Sequence, residues 1–260
     1  MGKYSGYMIA SDFDRTLTPP FDEITTENRE AIHRFREEGG IFAIVSGRCL
    51  PHAKRVFVGF MKGEFDYMIL CNGALAFDGE NVIFQYYASS EGLHNLIDHA
   101  AEYNVTDILY LAENDQFLID VDGSHEIDPL NYVNKKLIPK DAEFNQFTVI
   151  FKSGEEYESK MEKLQPFLEK WFTVYRSHNN ADVCPKNISK TSGIKKLAGI
   201  LGIDSNNIYT VGDGYNDIPM IEAFHGCAVE SGIDELKQKA EHTVRSVADV
   251  VSVIDSDIKH

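Results

Sequence analysis

Asp12 and Asp14 stand two positions apart in Asp12-Phe13-Asp14-Arg15-Thr16, directly behind the apolar run Tyr7-Met8-Ile9-Ala10. The run reads as a buried parallel strand, and the acids fall where it ends. In an open α/β sheet, chemistry collects at the carboxyl ends of strands. Two carboxylates there, followed by Thr, suit a nucleophile with an acid/base partner beside it. Three more polar clusters follow an apolar run or open a helix: Ser46-Gly47, Lys190, and Gly212-Asp213-Gly214-Tyr215-Asn216-Asp217. Lys190 opens a helix, where the helix dipole disfavours a cation, and that misplacement points to a function. Acids packed as tightly as Asp213 and Asp217 repel unless a cation or a ligand joins them. A calcium loop would need Asp-x-Asn-x-Asp spacing and a later Glu, and the segment has neither.

These clusters need elements that bring them to one rim. Met8 to Phe13 reads as a strand. Glu27 to Glu38 has helical spacing at Ala31, Ile32 and Phe35, and Gly39-Gly40 stops it. Ile41 to Val45 is a second strand, Lys54 to Phe60 a helix, and Tyr67 to Leu70 a third strand that ends at Cys71-Asn72-Gly73. This βαβαβ order predicts a parallel, doubly wound sheet. Leu75 to Phe84 then reads as a hairpin around Asp78-Gly79.

From residue 86 to 185 the pattern changes. Two amphipathic helices, Glu91 to Tyr103 and Glu155 to Lys170, mix with short strands at Ile108 to Leu111, Gln116 to Val121, Phe147 to Phe151 and Phe172 to Arg176. After Pro185 the first rhythm returns: a helix from Lys190 to Leu201, a strand at Ile208 to Val211, a helix, a strand at Cys227 to Val229, and a helix from Asp234. The expected fold class is α/β: a doubly wound, Rossmann-like core of residues 1–85 and 186–260, interrupted by an α+β insert of residues 86–185. An insert of about 100 residues is itself the size of a small domain.

Composition narrows the partners. The 260 residues are 43% hydrophobic and 25% charged, with a net charge of -16. Such an acidic surface is a poor match to nucleic acid or anionic lipid, so a small molecule is the expected partner. If that molecule is an anion, the site must supply positive charge, and a metal would do so. No stretch reaches the ~18 apolar residues of a membrane span, and the first residues carry no cleavable signal pattern. Cys49, Cys71, Cys184 and Cys227 lie far apart and make no Cys-x-x-Cys. Reduced thiols and a cytoplasmic location are expected.

Taken in order, Asp-x-Asp-x-Thr, Ser-Gly-Arg, Lys, and Gly-Asp-Gly-x-Asn-Asp resemble the haloacid dehalogenase-like hydrolase superfamily. The insert between the second and third motifs resembles the type IIB cap of its Cof-type sugar-phosphate phosphatases. Asn72-Gly73-Ala74 and the Ser189-Lys190 pair are similar to that subfamily as well. The chain departs from the pattern at three places. Arg15 stands where the family usually has Gly, Ser46 replaces the commoner Thr, and Ala228-Val229-Glu230-Ser231-Gly232 differs from the usual Met-Gly-Asn-Ala.

The resemblance implies a Mg²⁺-dependent phosphatase for small phosphate monoesters, with sugar phosphates as the expected class. It implies Asp12 as the nucleophile that forms an aspartyl-phosphate, and Asp14 as the acid and then the base. Mg²⁺ would be held by the Asp12 carboxylate, the Asp14 backbone carbonyl and Asp213. Ser46, Gly47 and Lys190 would bind the transferring phosphoryl oxygens, Asn216 would support the phosphate, and Asp217 would stand behind the metal and orient Lys190 or a water. The cap would select the leaving group. Arg176, His178, Asn179 and Asn180 lie near its end and are polar enough to meet a sugar.

Two rival functions share the scaffold. A phosphosugar mutase must grip a second phosphate, usually with several Arg, and residues 86–185 contain only Arg176. A non-catalytic sugar-phosphate sensor has no need of Asp12 and Asp14 together. The expected partner is a small phosphorylated metabolite, and the expected assembly a monomer or a small homo-oligomer.

Overall fold

The computed structural model describes residues 2–18, 23–54, 63–103, 105–112, 115–120, 140–151, 157–177 and 180–259. The chain divides into two compact units. One comprises Met1–Arg48, Lys54–Phe84 and Ser189–His260, and the other Cys49–Ala53 and Gln85–Ile188. The sequence puts the junctions after residues 85 and 185; the division falls after Phe84 and after Ile188, and it assigns Cys49–Ala53 to the second unit.

The first unit is built on an eight-stranded sheet. Its strands are β1 (Met8–Asp12), β2 (Ile41–Val45), β3 (Tyr67–Leu70), β4 (Leu75–Phe77), β5 (Val82–Gln85), β6 (Ile208–Gly212), β7 (His225–Val229) and β8 (His242–Val244). Their spatial order is β8-β7-β6-β1-β2-β3-β4-β5. The strands from β8 across to β3 run parallel, and β4 turns back antiparallel to β3. All five residues of β1 are buried, which explains its unbroken apolar reading up to Ser11. The hairpin at Asp78-Gly79 forms as expected: Gly79 takes φ +99°, and Asp78 Oδ1 accepts from the N–H groups of Glu80 and Asn81.

Two helices matter most for the site. Helix α1 (Thr26–Glu37) starts where Thr25 accepts a hydrogen bond from the Asn28 N–H, and it buries Ala31, Ile32 and Phe35. Helix α2 (Lys190–Leu201) opens on a reciprocal cap between Ser189 and Ser192 and closes at Gly202 with φ +70°. Its buried residues Gly193, Ile194, Leu197 and Ala198 repeat at helical spacing, and Lys190 is buried with them. Three helices follow: α3 (Ile218–Ala223), α4 (Asp234–Lys239) and α5 (Val247–Asp257).

The second unit is α+β. A five-stranded antiparallel sheet has the order Phe172–Ser177, Asn180–Pro185, Gln146–Phe151, Val105–Ala112, Asp115–Asp120. Helices Glu91–His99 and Tyr157–Leu168 bury Leu93, Leu96, Met161 and Leu164 in a core shared with Phe147, Val149, Phe172 and Val183. The first of these helices was expected to reach Tyr103; its last turn, Ala100–Tyr103, tightens to a 3₁₀ helix. The strand Asn180–Pro185 was not foreseen. Residues 55–60 of the expected helix 54–60, the end of the Gln116–Val121 strand, the start of the second helix, and His178 and Asn179 lie outside the described residues. Among the described residues, no helix is long and apolar enough to cross a membrane, and all four cysteines are buried and outside any disulfide.

Candidate active site

The site lies in the first unit. β1 sits between β2 and β6; the chain passes from β1 to β2 on one side and from β6 to β7 on the other, so the carboxyl ends of β1 and β6 flank a topological switch point. Asp12 ends β1 and is only 6% exposed. Its partner in register on β2 is Val45, which puts Ser46 one residue further along the same rim. On the other side Ser11 pairs with Val211, and β6 ends at Gly212, just before Asp213.

Lys190 joins the two sides. Its Nζ donates to Asp12 Oδ1 at 2.5 Å and to Asp217 Oδ1 at 2.6 Å, with the lysine side chain 1% exposed. A buried ammonium is tolerable only with such partners. Burial works against its charge, but the two carboxylates outweigh it and hold its pKa above the ordinary lysine value. The other oxygen of Asp217 accepts from the N–H groups of Asp213 and Gly214, at 3.1 and 3.0 Å. Both oxygens of Asp217 are therefore engaged. This carboxylate ties the Asp213 loop to Lys190. Gly212 leaves the room for it, since a Cβ there would lie 2.6 Å from Asp217 Cβ and Cγ.

Asp213 is more open, with 13% of its side chain exposed. Thr16 Oγ1 lies 3.4 Å from its Oδ1, and Arg15 Nε 3.4 Å from its Oδ2. Carboxylate oxygens of Asp12, Asp213 and Asp217 lie within 4.8 Å of one another. Burial, with Asp217 and Asp213 adding repulsion and Lys190 opposing, pushes Asp12 up to about 7. Burial and Asp217 also raise Asp213. The cluster is short of positive charge even with Lys190 in place. Oxygen donors in a cluster short of positive charge suit a small, hard divalent cation.

Asp14 stands apart from this cluster. Its carboxylate is held in a two-point pair by Arg48, with Nε donating to Oδ2 at 2.9 Å and Nη2 to Oδ1. The guanidinium also lies 5.0 Å from the centre of the Phe13 ring. Ser46 is 1% exposed; its Oγ accepts from the Arg48 N–H, and its own N–H donates to the Ile69 carbonyl. Gly47, between them, is partly exposed. Asn216 is half-buried, with its Oδ1 over Gly214.

Sequence reasoning assigned no role to Arg48 or Thr16, although both belong to the quoted motifs. Arg15 was set aside as a departure from the family pattern. It takes φ +65°, a left-handed conformation that favours Gly, and its side chain turns to Asp213. The unusual Glu230-Ser231-Gly232 loop backs the same aspartate, with the Ile233 N–H donating to the Asp213 carbonyl at 3.0 Å. Of the polar residues expected to meet a sugar, Arg176 is engaged by Glu158 Oε2 at 2.6 Å and Gln165 Oε1 at 2.8 Å.

This fold and this arrangement of acids define a class, and comparison with known proteins agrees. A family described as haloacid dehalogenase-like hydrolase matches residues 9–255, and the chain belongs to that family of enzymes. It is 28% identical to the 5-amino-6-(5-phospho-D-ribitylamino)uracil phosphatase YwtE of Bacillus subtilis over 92% of each chain. A HAD/COF-like hydrolase from Plasmodium vivax superposes with a TM-score of 0.80 at 19% identity, over 96% of this chain and 95% of that one. A sugar phosphatase of haloacid dehalogenase subclass IIB superposes with a TM-score of 0.77 at 20% identity, over 96% and 98%.

Proposed function

We propose that this hydrolase is a phosphatase that removes phosphate from small phosphate monoesters, with sugar phosphates as its substrate class, through an aspartyl-phosphate on Asp12. The observation that carries this reading is Asp12 itself. It is a buried carboxylate at the switch point of the sheet, bound to Lys190 at 2.5 Å and facing a second acid loop. The curated relatives named as phosphatases support the same reading, as does the resemblance to a sugar phosphatase of subclass IIB.

In this reading Asp12 attacks phosphorus and becomes an acyl phosphate, which splits one hard step into two. Ser46, the Gly47 N–H and Lys190 take the charge of the transferring oxygens. Asp14 protonates the leaving alkoxide and later takes a proton from the attacking water. Arg48 aims the Asp14 carboxylate. Asp12, the Asp14 carbonyl and Asp213 would hold Mg²⁺, with Asp217 bracing the loop behind. The ion would offset the repulsion between an anionic nucleophile and a dianionic substrate. We take residues 86–185, with the junctions adjusted as above, as the cap that selects the leaving group. The mutase alternative loses ground, because the one Arg of that segment is already paired within its own unit.

The test measures phosphate release from a panel of sugar phosphates, scored by kcat/KM. Metal-stripped enzyme in excess chelator should be inactive. Mg²⁺ should restore turnover and Ca²⁺ should not, because Ca²⁺ prefers 6–8 ligands in looser geometry. Full activity in chelator would refute the metal dependence. Isomer formation that outpaces phosphate release and needs a sugar bisphosphate would establish a mutase instead.

A further inference from the structure

Cys71, Asn72 and Gly73 follow β3 with φ of +53°, +50° and +109°. Three successive left-handed residues, two of them not Gly, form a strained turn, and strain of this kind collects at functional sites. The turn is wedged between two parts of the site. On one side the Cys71 N–H donates to the Arg48 carbonyl at 3.0 Å, and the Asn72 N–H to the Ser46 carbonyl at 3.1 Å. On the other, Gly73 lies so close to the start of α2 that a Cβ would meet the Ser189 carbonyl at 2.0 Å. Gly193 closes on Gly73 in return.

This turn also holds most of an anomaly. Among the described residues, only three buried side-chain polar atoms lack a hydrogen-bond partner: Nδ2 and Oδ1 of Asn72, and Oγ1 of Thr191. Asn72 is 1% exposed, and Thr191 directly follows Lys190. Orphaned buried polar atoms are rare and costly, so three of them flanking Ser46 and Lys190 ask for an explanation. Backbone conformation does not supply one. Asn tolerates a left-handed φ, but Gly would do so without burying an amide.

We propose that Asn72 is a positioning residue for the transferring phosphoryl group, and that its amide gains its partners when an oxyanion is bound. An oxyanion held between Ser46 and Lys190 reorients the side chains of Asn72 and Thr191 across the backbone contact that the 71–73 turn already makes with the first turn of α2. The Thr191 hydroxyl then donates to Asn72 Oδ1, and Nδ2 finds its acceptor in the Ser46 loop. The inference rests on the phosphatase reading for its ligand, but not for its test.

The variants are Asn72→Gly, Thr191→Val and the pair together. Asn72→Gly keeps the left-handed backbone and loses only the amide; Thr191→Val keeps the branched shape. Two readouts are taken: the rise in melting temperature produced by inorganic phosphate alone, and kcat and KM for a phosphate monoester. Each single variant should melt at or above the wild-type temperature without phosphate and lose most of the phosphate-induced rise. Each should lower kcat at least tenfold with KM changed less. The double variant should be no worse than the worse single. Binding and turnover within twofold of wild type in Asn72→Gly would overturn the inference, leaving the turn a purely backbone splint. Additive losses in the double variant would overturn the Asn72–Thr191 pairing. A wild type that gains no stability from phosphate would overturn the inference outright. A wild type that binds phosphate but hydrolyses no ester would refute the phosphatase reading, and the phosphate shifts would still decide the role of Asn72.

Discussion

Single residues divide the labour of the proposed chemistry, and substitution can separate them. Asp12→Asn keeps the shape of the side chain but offers an amide that is too weak a nucleophile. Turnover should fall by several powers of ten with the fold retained; activity within about tenfold of wild type would sink the covalent mechanism. Asp14 does a different job. An alkoxide needs a proton as it departs, whereas p-nitrophenolate hardly does. Asp14→Asn should therefore slow sugar phosphates by about a hundredfold or more and p-nitrophenyl phosphate much less. Arg48→Ala should show the same selective loss to a smaller degree, because it frees Asp14 rather than deleting it. Equal loss on both substrates would make Asp14 and Arg48 merely positional. The pairing of Arg48 with Asp14 was not legible in the sequence: the two residues are 34 positions apart, and only the packing of β1 against β2 brings them together.

At the scale of elements, the loop after β6 is the most tightly specified. Asp217 folds back over Gly212 to reach the N–H groups of Asp213 and Gly214. Gly212→Ala would force that carboxylate away and free Asp213 as well. Overpacking of this kind costs about 1–3 kcal/mol. The variant should melt lower and need more Mg²⁺ for half-maximal activity, measured by titration against wild type. An unchanged Mg²⁺ requirement would remove Asp217 from the support of the proposed metal site. The sequence is legible in this core because its parallel strands are buried on both faces. β1, β2 and β6 read as largely apolar runs, and each ends where a polar motif begins. β8 is harder to read: it has three residues, and only Val244 is buried. The strand Asn180–Pro185 contains Asp and Pro, which disfavour strands, yet it pairs on both sides with its neighbours. Tertiary context overrode the local preference there.

For the molecule as a whole, the two ends of the described chain are tied together. Lys3 Nζ and Tyr4 OH both bind Asp255 Oδ1 at 2.5 Å, which fastens the segment before β1 to α5. Burial alone would raise the Asp255 pKa, but the bonds from Lys3 and Tyr4 outweigh it and hold it below the ordinary value of 3.8. The sign follows. A carboxyl with a depressed folded pKa adds stability above its unfolded pKa and loses it as pH falls through the folded one. Asp255→Asn should therefore lower the melting temperature at neutral pH. Wild type and variant should converge as the pH is taken well below the ordinary carboxylate range. A difference that persists unchanged into acid would assign the effect to packing rather than charge.

The central place of β1 has a consequence during synthesis. Its neighbour β2 follows within the first 45 residues, but β6, its other neighbour, begins at residue 208. At about 5–20 residues per second, a ribosome needs about 10–40 s to deliver β6 after β1 has emerged. Through that interval one edge of β1, apolar from Met8 to Ala10, stands open in the nascent chain, the kind of edge that templates aggregation. A stalled chain ending before residue 208 should bind chaperones or precipitate, and one extended past residue 229 should not. The same wait keeps the proposed nucleophile idle. Asp12 precedes the insert, whereas Lys190 and Asp213 follow it, so the three cannot assemble until the insert has been translated.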